Sequence, residues 1–152
     1  MGDTVIAVAG TLLGGLLAGL LQARSTRAAR IADRAERRVD DLRAALGALV
    51  AAIGDQRRTM WHREHLRLTG ASAADYDTAR AASHTTRSAV TAPLVTVSGL
   101  EPDLAPAAPA AARAAFDLRG VSDLDTLAAM REHAVTATDN LVAAAGCTFQ
   151  GA

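Results

Sequence analysis

Apolar and polar positions alternate along this 152-residue chain with helical spacing almost throughout, and the spacing changes character near residue 24. Residues 4–23 carry no charged side chain and contain G-T-L-L-G-G-L-L-A-G-L-L over 10–21, two small residues and two leucines in turn. Beyond it, Ile31, Ala35, Val39, Leu42, Leu46, Leu49, Ile53 and Met60 recur in steps of mostly three and four. They form one stripe, the mark of an amphipathic helix. Between Ala23 and Leu68 there is no proline and glycine occurs only at Gly47 and Gly54. The two stretches are therefore predicted to be one continuous helix of about 65 residues, with Gly70 just past its end. From Val39 to Ile53 the stripe also fits heptads of a coiled coil.

Ser72 and Asp75 resemble a capping box, so a second helix is predicted to begin near Ala73. Its stripe is Tyr76, Ala79, Ser83, Val90, Leu94 and Val97. Pro93 lies inside it and is expected to kink or end the helix, because proline lacks an N–H and crowds the preceding turn. L-V-T-V-S after it is β-branched but has no partner strand, and is expected to be distorted helix. Residues 99–109 form the main break. A short helix over 110–119 stops at Gly120. Ser122 and Asp125 then suggest the start of a last helix reaching Ala145, with Leu124, Leu127, Ala134, Leu141 and Val142 on its buried side. The predicted fold is all-α. An N-terminal transmembrane helix (1–23) continues into a long amphipathic helix (24–70), which packs with the remaining helices (71–152) in a small antiparallel bundle.

The membrane expectation rests on length and charge. Twenty uncharged residues rise roughly 30 Å, the thickness of a hydrocarbon core. Arginines 24, 27, 30, 34, 37 and 38 follow directly, which places Met1 outside and the rest of the chain in the cytoplasm by the positive-inside rule. A cleavable signal peptide would need a positive start, whereas the only charged side chain there is Asp3. Gly10, Gly14, Gly15, Ala18 and Gly19, with Thr11, line one face of the run, and leucines cover the other. Small residues at this spacing let two backbones approach, so the strip is expected to mediate self-association. Arg24, Arg27, Arg30 and Arg34 are expected to meet anionic lipid headgroups.

Composition sharpens this picture. Half the residues are hydrophobic but only 3% are aromatic, and alanine makes up about a quarter of the chain. A core of small side chains favours closely spaced helices. All sixteen basic residues are arginine, which with the alanine points to a GC-rich coding bias of the actinobacterial kind. The net charge of zero hides a division. Residues 1–70 hold eleven arginines against seven acids, and residues 71–152 hold five against nine. An overall basic balance, the usual footprint of nucleic-acid binding, is absent, and nucleic acid is not expected as a partner. The single Cys147 excludes an intramolecular disulfide and suits a reducing compartment; it falls in a tail expected to fray.

Chemistry-bearing groups are sparse. His62 and His65 have the spacing of two ligands on one helix face, yet W-H-R-E-H-L lacks the H-E-x-x-H arrangement and neither Glu64 nor Glu132 has a histidine three residues on. Arg57, Arg58, Arg63 and Arg67 with Trp61 resemble a phosphate-and-base patch. The favoured explanation is a basic face paired with acids of the second half such as Asp75, Asp77 and Asp139, with Trp61 capping the bundle core. There is no phosphate loop after a strand, no G-x-S-x-G and no cysteine in a nucleophile's setting. No catalytic residue, metal or cofactor is expected.

V-I-A-V-A-G-T-L-L-G-G-L-L-A-G-L-L-Q-A-R at the start, M-W-H-R-E-H-L-R-L-T-G at 60–70 and S-H-T-T-R-S-A-V-T-A-P-L-V-T-V at 83–97 resemble KilB-type proteins of actinobacterial conjugative plasmids. The last block is the most specific. The resemblance implies a small membrane-associated protein acting in the spread of plasmid DNA between mycelial compartments, harmful to its host when unregulated, and it brings no catalytic residues. The expected function is thus that of a non-enzymatic single-pass membrane protein that self-associates and presents a cytoplasmic bundle to plasmid-transfer proteins. The alternative is a soluble oligomeric adaptor or DNA-binding accessory protein with residues 1–23 buried in an oligomer core; a metal-dependent enzyme using His62 and His65 is a third class.

Overall fold

The computed structural model describes the backbone of residues 2–150 and the side chains of residues 22, 26, 27 and 29–150. Helices α1 (Gly2–Leu68), α2 (Ala73–Leu100), α3 (Ala107–Phe116) and α4 (Leu124–Gln150) follow in order, with a 3-10 turn at Pro102–Leu104. The chain divides into two compact units, residues 1–40 and residues 41–152.

In the first unit the described side chains are almost all exposed, Ile31 and Ala35 of the predicted stripe among them, and Asp33 pairs with Arg37 one turn on. Among the described residues no helix is long and apolar enough to cross a membrane. Gly10, Gly14, Gly15, Ala18, Gly19 and Arg24 lie outside the described side chains, as does the uncharged run 4–23 apart from Gln22.

In the second unit the stripe of α1 is buried from Leu42 onward. Leu42, Ala45, Leu46, Leu49 and Ile53 join Val90 and Val97 of α2, Leu104 of the 3-10 turn, four alanines of α3, and Leu141 and Ala145 of α4. Helix α3 buries Ala108, Ala111, Ala112, Ala114 and Ala115, so its own buried side chains are all methyl groups. This is the consequence of an alanine-rich, ring-poor composition, since interaxial distance follows side-chain size. A smaller cluster of Met60, Ala114, Leu118, Leu127 and Ala134 holds the other end of the bundle, with Trp61 and Met130 packed against it.

The helix ends obey local chemistry. After Leu68 the chain turns through Gly70 at φ +70°, and the Ala71 N–H reaches the Leu66 carbonyl at 3.0 Å, the long bond of a Schellman cap. Ser72 Oγ then accepts the Asp75 N–H at 3.2 Å and starts α2 at the predicted place. Helix α2 passes through Pro93 without ending. The proline removes the N–H that would serve the Ala89 carbonyl, but Ala89 is exposed and water can take its place.

Three expectations about α3 and α4 are corrected. Helix α3 begins at Ala107 and ends at Phe116, three residues early at each end. Helix α4 runs past Gly146 to Gln150, so Cys147 sits exposed on a helix and not in a frayed tail. Its buried stripe is Leu127, Ala134, Thr138, Leu141 and Ala145, while Leu124 at the helix start and Val142 beside Leu141 are exposed.

The cap of α4 is Asp123, not Ser122. Asp123 Oδ1 accepts the Thr126 N–H at 2.7 Å, and Oδ2 accepts hydroxyl bonds from Ser122 and Thr126. The Ser122 hydroxyl above all, then the Thr126 N–H and hydroxyl, hold the Asp123 carboxyl below the ordinary carboxylate range. A lowered acid stabilises the fold fully above its ordinary pKa and loses that contribution as pH falls through the lowered value. The wild-type chain should therefore be more stable than Asp123→Asn at neutral pH, and the gap in Tm should close below about pH 4. A gap independent of pH would contradict the capping role.

Candidate functional site

The blocks at 60–70 and 83–97 meet in the bundle. As α1 ascends from Gln56 to Arg63, its partners on α2 descend from Thr86 to Tyr76, so the two helices run antiparallel. A polar seam joins them. The Gln56 side chain is fully buried and its Oε1 accepts the Thr86 hydroxyl at 2.6 Å; Thr59 and Thr86 share a hydroxyl contact at 2.7 Å. Gln56 fills the gap that the apolar stripe leaves between Ile53 and Met60. That gap was the only sequence signal for it.

Arg63 is not part of an exposed basic face: it is 7% exposed. Its Nη2 donates to the Tyr76 hydroxyl at 3.1 Å, its Nη1 lies 3.5 Å from Ser83 Oγ, and its guanidinium carbon stands 5.6 Å from the Tyr76 ring centre. Glu64, 1% exposed, is the adjacent countercharge at 3.7 Å. Glu64 Oε2 also accepts Arg67 Nε at 2.7 Å and the Gly120 N–H at 3.1 Å, while Arg67 Nη2 donates to the Val121 carbonyl. Gly120, at φ +77°, adopts a backbone conformation that side chains disfavour. The end of α1 thus clamps the α3–α4 connection through one carboxylate.

The expected pairing of α1 arginines with Asp75, Asp77 and Asp139 is not how Arg58, Arg63 and Arg67 are satisfied. Arg58 pairs with Asp55 and Arg67 with Glu64, both on α1 itself, because a partner three residues away on the same face needs no tertiary alignment. Arg27, Arg30 and Arg34, the described members of the expected lipid-facing set, are exposed on α1.

Next to the buried seam is an open cleft of about 360 Å³ lined by Arg58, Trp61 and His62 of α1 and Arg131 of α4. His65 stacks on Trp61 with ring centres 4.9 Å apart and planes 15° from parallel. His65 is thus engaged with the indole, while His62 lines the cleft. Among the described residues no group of three or more His, Cys, Asp or Glu side chains is placed to hold a metal ion.

The chain matches the family described as KilB plasmid transfer protein over residues 43–149, the span of the bundle. It is 55% identical over 149 residues to Protein KilB of Streptomyces lividans, covering 98% of this chain and 99% of that protein. No solved structure matches the chain significantly. With a family match across the bundle and a relative of this identity along nearly its whole length, the chain belongs to the KilB plasmid transfer protein family.

Proposed function

We propose that this plasmid transfer protein is a single-pass, non-enzymatic membrane protein, anchored by residues 1–23, with Met1 outside and the bundle in the cytoplasm. The observation that carries the membrane part is the uncharged run 4–23 followed at once by arginines. The exposure of Arg27, Arg30 and Arg34 suits contact with anionic headgroups, worth about 1 kcal/mol per basic residue at the surface. Gly10, Gly14, Gly15, Ala18 and Gly19 supply the close face for self-association in the bilayer. The bundle is then the part offered to other plasmid-transfer proteins, and clustering of anchors accounts for harm to a host that makes too much of the protein.

Fractionation tests the anchor. The full chain should pellet with membranes and resist carbonate, and a version lacking residues 1–23 should stay in the soluble fraction and no longer support plasmid spread. A full chain that is monodisperse in water without detergent would sink the proposal in favour of the soluble adaptor. Changing Gly14 and Gly15 to isoleucine should abolish cross-linked oligomers while leaving the membrane fraction unchanged.

A further inference from the structure

We propose that the cleft of Arg58, Trp61, His62 and Arg131 binds an unpaired nucleotide unit, its base stacked on Trp61 and its phosphate held by the two guanidinium groups. The volume, about 360 Å³, is that of a small-molecule site. Its lining selects the chemistry. Its lining side chains are two arginines, a tryptophan and a histidine. An apolar occupant would make no use of the guanidinium donors that Asp55 and Glu132 leave over. A phosphate alone would leave the indole unused.

The two arginines come from different helices, so their convergence is a property of the fold and not of helical spacing. Each touches one neighbouring carboxylate: Arg58 pairs with Asp55, and Arg131 Nη1 lies 3.7 Å from Glu132. A guanidinium has five N–H donors, so most remain for a second acceptor. Both side chains are more than half exposed, at 74% and 54%. Trp61 is already ordered, packed on the smaller core cluster and stacked with His65. Such an indole is a platform for a base, and base stacking is sequence-tolerant because every base has a π face. A zero net charge is no objection, because each guanidinium keeps donors beyond those its neighbouring carboxylate takes.

Trp61 is the chain's one tryptophan, so its emission reports the cleft directly. Titrating the full chain in detergent with a short oligothymidylate should quench that emission saturably. Thymidine monophosphate should do the same; equal affinity for it identifies a free nucleotide as occupant, and tighter binding of the strand identifies single-stranded nucleic acid. A matched duplex and inorganic phosphate should bind far more weakly, because neither offers a free base. By polarisation of a labelled strand, Trp61→Ala should weaken binding roughly five- to hundredfold. Arg58→Gln and Arg131→Gln, both at exposed positions, should each lower the salt dependence by about 0.7 in log–log slope. Affinity and slope unchanged in the double arginine variant would overturn the proposal, as would equal binding of duplex or of phosphate alone. Because the arginine variants leave the core untouched, their result is decisive even if Trp61→Ala unfolds the bundle.

Discussion

Replacing Glu64 by alanine is expected to lower the unfolding free energy of the bundle by about 3–5 kcal/mol. The carboxylate is buried between two arginines and the Gly120 N–H, and three separate losses follow from removing it. Arg63 becomes a buried cation whose remaining partners, the Tyr76 and Ser83 hydroxyls, are neutral. Arg67 loses the acceptor that holds it against the Val121 carbonyl. The Gly120 N–H loses its partner where the chain turns from α3 toward α4. Glu64→Gln keeps an acceptor for that N–H but leaves the charge of Arg63 unmatched, so it should fall between alanine and wild type. The double change Arg63→Met with Glu64→Leu should recover stability relative to Glu64→Ala, because it removes both charges from the interior together. Urea unfolding followed by far-ultraviolet circular dichroism measures all three. A Glu64→Ala chain as stable as wild type would show that this carboxylate does not clamp the connection.

The turn between α1 and α2 is the part of this fold most plainly written in the chain. Gly70 and the Ser72–Asp75 pair mark the α1–α2 turn because capping depends on residues within one turn of each other. The stripes of α1 and α2 are legible for a related reason, since each side of a helix repeats at fixed spacing. What escapes is whatever needs a partner from elsewhere. Arg63 looks like its exposed neighbours Arg58 and Arg67 until Tyr76 and Ser83 are brought over it. Arg131 stands about seventy residues from Trp61 in sequence, and nothing local announces that they line one cleft. Pro93 misleads in the opposite direction: the local rule would end the helix, but Val90, Leu94 and Val97 are already committed to the main cluster, and their burial outweighs one missing bond. The shift of the α4 cap from Ser122 to Asp123 is a one-residue ambiguity between two good capping side chains, settled by which backbone N–H each can reach.

Leu49→Ala should destabilise the bundle by about 4 kcal/mol, toward the upper end for a leucine truncation. Leu49 is fully buried in the larger cluster, and the size of the loss depends on how far the surroundings can close over the space left behind. Here they have little means to do so. Ala108, Ala111, Ala112 and Ala115 belong to the same cluster, and an alanine has no rotamer that could swing inward. Closing the void would require moving α3 as a body. That helix is tied through the 3-10 turn by the buried Leu104 and stacked at its end, where Arg87 lies 4.1 Å over the Phe116 ring. A core built of methyl groups is therefore less forgiving of truncation than one rich in Met or Phe, which can repack. Val95→Ala, at a position 68% exposed on α2, is the matching control and should change stability by no more than about 0.5 kcal/mol. If thermal unfolding showed Leu49→Ala costing as little as Val95→Ala, the alanine-lined interior would have to be far more compliant than its composition allows.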